Sequence, residues 1–400
     1  MTIAQLQKLR SKKPKIRFPE FVDELRSGNL KKFGYFYYGK SAPKFSVKNN
    51  AKTPCIRYGE LYSTYNEQVT AIKSFTDINP NNLKFSKGDE VLIPCVGEDP
   101  LDFIKCTYLK IPNVAIGEMI SVYNTKEVGL FITYYIRARL KKEFARVVEG
   151  ANVSNLYFRY LEKINIIIPN KSEQQKITSF LGSVDEWINN LREQKESLLE
   201  YKKGMMQKLF AQEIRFKDDS GKSFSKWEEK KLGEILKERK EYSTKGKGYT
   251  HISLTIKGVV PKSERYDRDF LVGDDEVKGY KITRLNDLCY NPANLKFGVI
   301  SINKLGAGIF SPIYVTFEVV GQNIDFGGYY LIRDAFINKA RRYEQGTVYE
   351  RMAFHPSDFV KVKVAFPSLP EQEKISNFLT SIDKTIEVKQ EQIARAGEWK

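Results

Sequence analysis

The chain has 400 residues, which is enough for two or three domains with substantial cores. Hydrophobic residues make up 41% and charged residues 29%, as in ordinary globular proteins, but the formal net charge of +17 is high and favours a polyanionic partner: nucleic acid, an acidic protein or an anionic membrane. No segment approaches the roughly 18 apolar residues of a membrane span, and the first residues lack the apolar core of a secretion signal. We therefore expect a cytoplasmic protein.

The first half of the chain is predicted to form a mixed globule. After an N-terminal tail, 1–27, the region 28–168 contains short β-branched and aromatic runs broken by glycine, proline and asparagine. Glu90–Ile93 and Gly117–Tyr123 are examples of such runs and predict strands. A helix is predicted around residues 128–143. The region therefore predicts an α+β domain of about 140 residues, a normal domain size.

A central segment, 169–212, has the period of a long helix that packs along a partner helix. Its apolar residues recur in alternating steps of four and three, which is a heptad pattern, and Lys195 and Lys202 occupy the two interrupted positions. Ser172 with Gln175 fits a capping box at the start. At about 1.5 Å per residue, the helix spans roughly 55–60 Å. The predicted seam consists of Ile177, Leu181, Val184, Ile188, Leu191, Leu198, Met205 and Leu209.

The second half follows the same order. A linker, 213–228, leads to a second predicted α+β globule, 229–366, with a strand at Ile313–Val319 and a helix around residues 328–342. The C-terminal segment, 367–400, again has four-three spacing, and two heptad helices in one chain most simply pack antiparallel on each other. Its predicted seam consists of Ile375, Leu379, Ile382, Ile386 and Ile393.

The chain also repeats itself at a fixed offset. The segment Ile166–Ile177 recurs as Val364–Ile375, 198 residues later, with a proline and a Glu-Gln pair at matching places. Ile16-Arg17-Phe18 recurs as Ile214-Arg215-Phe216 at the same offset. A chain built as two similar halves predicts a pseudo-twofold arrangement, which suits the recognition of two half-sites.

The repeated frame carries dissimilar contents. Lys31–Gly34 parallels Lys230–Gly233 at an offset of 199, but the loops and the charge placement inside the two globules differ. Gln7-Lys8-Leu9 in the tail matches Gln207-Lys208-Leu209, so the tail looks like the end of a repeat that begins at the C-terminus and closes the circle. Similar scaffolds with unlike surfaces favour two different half-sites.

This pattern resembles the specificity subunits of type I restriction-modification systems over nearly the whole chain. The resemblance depends on Pro169–Leu181 and Pro367–Leu379 at the starts of the long helices, on Lys226–Gly233 before the second globule, and on the 198-residue repeat. It implies an α+β fold of two pseudo-twofold-related globular target recognition domains, 28–168 and 229–366, separated by two long antiparallel coiled-coil helices.

The resemblance also implies a function. Each target recognition domain would read one half of a bipartite, asymmetric site on double-stranded DNA, while the helix pair sets the spacer and docks two modification subunits. Those subunits would carry S-adenosylmethionine, and restriction subunits, where present, would bring ATP and Mg. The chain itself would be non-catalytic. The alternative is a stand-alone two-lobed DNA-binding or scaffold protein without methyltransferase partners.

The residues themselves indicate no chemistry of their own. Asn291-Pro292-Ala293-Asn294 departs from the Asn/Asp-Pro-Pro-aromatic motif of DNA amino-methyltransferases, and no glycine-rich cofactor loop or Walker A sequence is present. We therefore predict no catalytic residue and no bound cofactor. The spacing of the cysteines and histidines fits no metal site, so we predict no metal and expect the cysteines to be buried, reduced thiols. The cysteines and histidines are Cys55, Cys95, Cys106, Cys289, His251 and His355.

Candidate DNA contacts are cations and aromatic or amide side chains in loop-like stretches, because phosphates need positive charge and base edges need polar side chains. A solvated charge or a half-buried ring remains the alternative for each. In the first globule the candidates are Tyr38, Lys40, Lys44, Arg57, Tyr62, Tyr65, Asn152 and Asn155. In the second they are Lys245, Lys247, Tyr249, Lys296, Arg341, Arg342, Tyr343 and Thr347.

Overall fold

The short apolar and aromatic runs form strands in both halves of the chain, and the heptad segments form long helices. The computed structural model describes residues 16–150, 153–243, 248–262, 279–343 and 354–399. By its internal contacts the chain divides into two units, Met1–Trp187 and Ile188–Trp399. Within the described residues, no helix is long and apolar enough to cross a membrane.

The first unit consists of short strands and helices followed by the start of the central helix. Its strands are β1 (Arg26–Asn29), β2 (Gly34–Tyr38), β3 (Thr53–Ile56), β4 (Ser74–Thr76), β5 (Glu90–Pro94), β6 (Val96–Gly97), β7 (Thr107–Leu109), β8 (Ala115–Ile116), β9 (Ile120–Thr125), β10 (Ser154–Asn155) and β11 (Asn165–Ile168). Its helices are α1 (Leu30–Phe33), α2 (Tyr58–Ser63), α3 (Gly129–Arg139), α4 (Lys141–Arg146), α5 (Phe158–Leu161) and the beginning of α6, the central helix (Lys171–Phe210).

In its described residues, the first unit contains four sheets, of which the smallest is the short pair β10-β6. The antiparallel order β2-β9-β5-β7 forms its four-stranded sheet, and β4-β3-β8 forms a three-stranded sheet in which β3 and β8 run parallel. The antiparallel pair β1-β11 leads directly to the central helix. Buried apolar and aromatic side chains fill the space between the sheets and helices, because strand residues alternate between faces; Phe103, Tyr123 and Phe144 are among the largest.

The second unit begins with a strand, a short helix and a strand and ends with a strand that leads into a long helix, as the first unit does. Its strands are β12 (Glu228–Lys231), β13 (Leu236–Glu238), β14 (Tyr242–Ser243), β15 (Thr250–Thr255), β16 (Gly258–Pro261), β17 (Tyr280–Thr283), β18 (Leu288–Tyr290), β19 (Ile300–Ile302), β20 (Gly308–Phe310), β21 (Val315–Val319) and β22 (Lys363–Phe366). Its helices are the end of the central helix, α7 (Leu232–Ile235), α8 (Ile324–Leu331), α9 (Asp334–Ala340), α10 (Pro356–Phe359) and α11, the C-terminal helix (Leu369–Trp399).

The sheets of the second unit match those of the first in type. The order β13-β21-β18-β19 is again four-stranded and antiparallel, and β12-β22 is again an antiparallel pair before a long helix. The remaining sheet, β14-β17-β20-β15-β16, again contains one parallel pair, β15 with β20. In the core of the second unit, the rings of Tyr290, Phe317 and Phe359 stack on one another. The predicted α+β fold with two globules and long helices is confirmed.

The structural match between the two units corrects one part of the predicted repeat. The N–H of Leu30 donates to the Ile164 carbonyl, and the N–H of Leu232 donates in the same way to the Val362 carbonyl. Leu30 therefore corresponds to Leu232, 202 positions later, and the predicted match of Lys31–Gly34 with Lys230–Gly233 at 199 is wrong. The two leucines are fully buried, whereas the matched lysines are mostly at the surface, so the apolar residues define the register.

The start of the central helix also differs from the prediction. Asn170 Oδ1 accepts from the Glu173 N–H at 2.9 Å, so Asn170 caps a helix that begins at Lys171. The predicted capping box of Ser172 with Gln175 is therefore wrong, because both residues already lie inside the first turn and a half.

The four cysteines are buried and carry free thiols. Burial raises the pKa of Cys55 and Cys95 to about 11 and that of Cys106 and Cys289 to about 12. Thiols with such pKa values are unreactive near neutral pH, because the thiolate is the nucleophile.

Helix junctions and candidate nucleic-acid interface

The repeated Glu-Gln pair fastens each long helix to the rest of its own unit. In the first unit Glu173 accepts two hydrogen bonds from Arg17, at 2.8 Å from Nε and 2.6 Å from an η nitrogen. In the second unit Glu371 accepts the same two from Arg215, at 2.9 and 2.6 Å. Both carboxylates are almost completely buried, so these are charge-assisted bidentate pairs of the strong kind.

The glutamine beside each glutamate connects to the globule through its amide. Gln174 Oε1 accepts from the Val128 N–H at the start of α3, and its Nε2 donates to the Pro169 carbonyl. Gln372 repeats this arrangement with the Asn323 N–H and the Pro367 carbonyl. The duplicated sequence motif thus produces duplicated buried contacts. In both glutamines the amide oxygen and the amide nitrogen each have a hydrogen-bond partner.

A tyrosine on the globule reaches each long helix about three turns further on. Tyr134 donates to Asp185 at 2.6 Å in the first unit, and Tyr329 donates to Asp383 at 2.6 Å in the second. Burial raises the pKa of both phenols, so each remains a neutral hydroxyl donor at physiological pH.

The second unit contains an antiparallel helix pair. Lys202 of the central helix donates to both oxygens of Asp383 at 2.6 and 2.7 Å, and Lys195 donates to Gln390 at 2.8 Å. The two contacts are one heptad apart on each helix. Residue numbers rise along one helix as they fall along the other, so the two helices are antiparallel. The lysines at the interrupted seam positions therefore make polar contacts between the helices of this unit.

The predicted seam positions have unequal burial. Ile188, Leu191, Leu209, Ile375, Leu379 and Ile382 are buried. Ile177, Leu181, Val184, Leu198, Met205, Ile386 and Ile393 are half-buried.

A double-mutant cycle tests the Lys202–Asp383 contact. We expect Lys202→Met and Asp383→Asn to be non-additive by about 1 kcal/mol in the free energy of unfolding, because Lys202 is mostly buried while Asp383 is 40% exposed and partly screened by water. Urea denaturation followed by Trp227 fluorescence measures it, since Trp227 packs on Phe326 in this unit. The same cycle on the more exposed Lys195 and Gln390 is the control; equal coupling in both cycles would contradict the expectation.

Five candidate DNA contacts of the first globule lie around one end of its sheets. The N–H of Lys40 donates to the Ile116 carbonyl, and the N–H of Gly117 donates to the carbonyl of Ile56, the residue before Arg57. A Cβ at Gly39 would collide with the Gly117 carbonyl oxygen, so only glycine allows this close approach. Lys40 is exposed and Arg57 half-buried.

Tyr38, Tyr62 and Asn155 lie around the adjoining strand β6. Tyr62 donates to the Val96 carbonyl at 3.0 Å, and Asn155 pairs with Val96 across β10 and β6. Tyr38 is 43% exposed, and its ring packs on Phe158 with a centroid distance of 4.4 Å. Burial raises the pKa of Tyr38 and Tyr62, so both present neutral hydroxyl groups.

Backbone strain marks the same end of the globule. Ser41, Ala42 and Met119 adopt the left-handed region with φ of 67°, 60° and 63°, which costs non-glycine residues free energy. Ser41 and Met119 are directly connected to the sheet end, because their carbonyls accept from the N–H groups of Glu118 and Cys95. Such strain persists where the surrounding structure fixes a particular surface.

The prediction for Tyr65 is corrected. Tyr65 is 8% exposed and packs in an apolar cluster with Ile56, Leu61 and Leu109, while its hydroxyl accepts from the Lys73 N–H. It is a core residue, because the chain just after α2 places its ring among the buried side chains of that cluster. Lys44, by contrast, is exposed in a short 3-10 turn, Lys44–Ser46.

The candidates of the second globule are only partly within the described residues. Lys296, Arg341 and Arg342 are exposed and Tyr249 is half-buried. Tyr343 closes the 3-10 turn Arg341–Tyr343. The remaining candidates lie outside the described residues of both globules: Asn152, Lys245, Lys247 and Thr347.

The sequence predictions missed a cation at the same end of the first globule. Arg159 lies over the rings of Tyr157 and Tyr160, at 5.1 and 4.7 Å from their centroids, and its ion pair with Glu149 is long at 3.9 Å. Lys105 lies 5.8 Å from the Tyr62 ring centroid. The alternation Tyr-Phe-Arg-Tyr at residues 157–160 is the sequence feature that could have identified Arg159. Among the described residues, no cluster of potential metal ligands is present.

Comparison with known proteins identifies the family. The model of the type I restriction modification DNA specificity domain matches residues 28–201 and again residues 225–396. The chain belongs to this family. The two matches place one specificity domain in each half of the chain, so the resemblance inferred from the sequence is confirmed. The predicted domain boundaries within each half stay predictions.

Relatives of this specificity-domain protein are known in Methanocaldococcus jannaschii. The chain is 27% identical over 293 residues to the putative type I restriction enzyme MjaX specificity subunit, covering 66% of this chain and 64% of the relative. It is 26% identical over 298 residues to the type I restriction enzyme MjaVIII specificity subunit, covering 67% of each. The chain thus aligns with about two thirds of the length of these relatives, slightly less for the first.

Two solved structures have the same fold. The S subunit of a type I restriction-modification system from M. genitalium matches with a TM-score of 0.58 and 14% identity over 96% of both chains. A chain from a structure of complex assembly and conformational transition in the type I R-M system matches with a TM-score of 0.53 and 14% identity, over 96% of this chain and 97% of that one. At this identity the likeness concerns the fold of the specificity-domain protein.

Proposed function

We propose that this chain is the DNA-sequence-specificity subunit of a type I restriction-modification complex. Each globule reads one half of a bipartite, asymmetric site on double-stranded DNA, and the helix pair sets the spacer and docks modification subunits. The observation that supports this proposal most directly is the presence of two specificity domains. The same Arg-Glu and Gln contacts also hold the long helix in each unit.

The unlike interiors of the two globules support two different half-sites. At corresponding places beneath the four-stranded sheets, the first unit has Tyr37 hydrogen-bonded to Glu90, and the second has Arg239 hydrogen-bonded to Asp287. The repeated scaffold thus holds different polar side chains in the two globules, which agrees with two different half-sites.

Catalysis belongs to other subunits in this proposal. Two modification subunits would carry S-adenosylmethionine and transfer methyl groups, and restriction subunits, where present, would use ATP and Mg. The relatives MjaX and MjaVIII are named as specificity subunits of restriction enzymes, which supports this division of labour. DNA as the substrate of the complex agrees with the net charge of +17, and the complex would act in the cytoplasm.

Methylation profiling tests the proposal. The chain is co-expressed with candidate modification subunits from its own organism in a host that lacks restriction systems, and long-read sequencing reports methylated positions across the genome. We expect a single asymmetric two-part motif that appears only when this chain is present. Methylation without it, or co-purification of the chain with no methyltransferase subunit, would favour the stand-alone alternative.

A further inference from the structure

The first globule has a basic face that the sequence predictions did not include. Lys84 Nζ lies 5.3 Å from the ring centroid of Tyr37, and Lys87 Nζ lies 5.2 Å from that of Tyr35 and donates to the Tyr35 hydroxyl at 2.8 Å. Both lysines are exposed. In the part of the chain that the structure describes, they are held by these rings rather than by carboxylates.

Glu90 places a carboxylate beneath this face. Glu90 is fully buried, and it accepts hydrogen bonds from the Tyr37 hydroxyl, the Asn124 amide and the Lys87 N–H. Its charge is thus already stabilised by three donors inside the globule. The two ammonium groups outside remain available to a ligand in solution.

The second globule neutralises the corresponding face. The N–H of Lys87 donates to Glu90 at 2.8 Å, and the N–H of Arg284 donates to Asp287 at the same distance and the same spacing, so Arg284 corresponds to Lys87. Arg284 is paired with Glu241 at 2.7 Å.

The neighbouring arginine in the second globule is engaged as well. Arg239 contacts Asp287 at 2.7 Å, Glu241 at 2.8 Å and Glu318 at 3.9 Å. Two arginines therefore face three carboxylates there, whereas two lysines face one buried carboxylate in the first globule. A phosphate would be attracted to the first face and repelled by the exposed Glu241 and Glu318 at the second.

We propose that the first globule binds the phosphate backbone of duplex DNA through Lys84 and Lys87, and that the second globule makes no corresponding contact. This inference rests on the proposed function. The face adjoins the sheet end that carries Lys40, because the Lys84 carbonyl accepts from the Ile116 N–H and the Ile116 carbonyl accepts from the Lys40 N–H, both at 2.8 Å. The backbones of Lys84 and Lys40 are thus both joined to Ile116.

The tyrosine rings explain how two flexible lysines can hold a phosphate. An ammonium group has three donors, and Lys87 uses one of them on the Tyr35 hydroxyl, which leaves two for phosphate oxygens. Contact with the rings also restricts the side chains before DNA arrives, so less conformational entropy is lost on binding. Phosphate contacts of this kind position the protein and carry no base sequence.

Salt-dependent binding tests the inference. The full chain is titrated against a fluorescein-labelled duplex of random sequence, and anisotropy is measured across a series of salt concentrations. We expect Lys84→Ala with Lys87→Ala to weaken binding and to reduce the slope of log K against log salt by about 1.8, since each phosphate contact contributes about 0.9. Lys84→Arg with Lys87→Arg should retain the slope. Arg284→Ala is the matched control and should leave the slope unchanged.

The possible results separate the inference from the function on which it depends. If the double alanine variant keeps the wild-type slope of log K against log salt and the wild-type circular dichroism, the inference is overturned. The basic face would then be a candidate site for an acidic protein partner. An equal loss for Arg284→Ala would overturn the proposed difference between the globules. A wild-type chain that binds no duplex would overturn the proposed function itself. In methylation profiling, the double alanine variant should keep the wild-type motif with weaker modification.

Discussion

Arg215→Ala is expected to destabilise the second unit by about 3 kcal/mol, because it leaves the fully buried Glu371 carboxylate without its bidentate partner. For a unit of this size, such a loss lowers the melting temperature by roughly 6–12 °C. Thermal unfolding followed by Trp227 fluorescence measures it, since Trp227 is half-buried against the core of that unit. Arg17→Ala should have a comparable effect on the first unit through Glu173.

Two variants distinguish a buried clamp from a surface ion pair. Lys374→Ala removes a contact to Asp219, which is 97% exposed, between the same two segments, and should cost less than about 1 kcal/mol. Arg215→Met combined with Glu371→Leu should cost less than Arg215→Ala alone, because no unpaired charge remains buried. If Lys374→Ala and Arg215→Ala cost the same, the clamp does not stabilise the start of the C-terminal helix.

The long helices and the duplicated frame could be predicted from the sequence because both signals are local. The four-three spacing lies within 40 residues, and the Pro and Glu-Gln motif reads the same at both places. The roles of Glu173 and Gln174 could not be predicted, since their partners Arg17 and Val128 are distant in sequence. The N-terminal cap of the central helix could not be predicted either, because Asn170 caps it instead of Ser172, which the capping-box motif indicates.

The offset of 199 between the starts of the two globules is wrong for a physical reason. The lysines of the two Lys-Lys pairs are mostly at the surface and carry little register information, whereas Leu30 and Leu232 are fully buried and define it. The linker in the second half has four more residues than the tail in the first between the matched Arg and Leu, including a turn around Asp218.

Surface residues were the hardest part of the candidate site to predict. A tyrosine near cations reads the same whether it faces water, like Tyr38, or the core, like Tyr65. The basic face also depends on strands that are remote in sequence, because Lys87 reaches Tyr35 across 52 residues. Composition predicted a basic protein. Only the fold shows that the lysines of one globule lie against tyrosine rings, whereas the arginines of the other are paired with carboxylates.

One extra heptad in each long helix is expected to lengthen the spacer of the methylated motif by about three base pairs, while both half-site sequences stay the same. A heptad adds about 10.5 Å of helix, and base pairs repeat about every 3.4 Å. Within the second unit, Lys195 contacts Gln390 and Lys202 contacts Asp383, so residues 189–195 lie opposite residues 390–396. Duplicating both segments keeps the seam continuous, because a heptad returns each helix to the same face.

The insertion should also reduce the extent of methylation. Three base pairs rotate the duplex by about 0.3 of a turn, since a turn has 10–10.5 base pairs, whereas a heptad leaves the helix face almost unchanged, so the DNA must twist to meet both globules. Duplicating residues 189–195 alone is the control, because the two helices are then mismatched and the helix pair should lose stability. Long-read methylation profiling that finds the original spacer in the double insertion would show that the helix pair does not set the distance between half-sites.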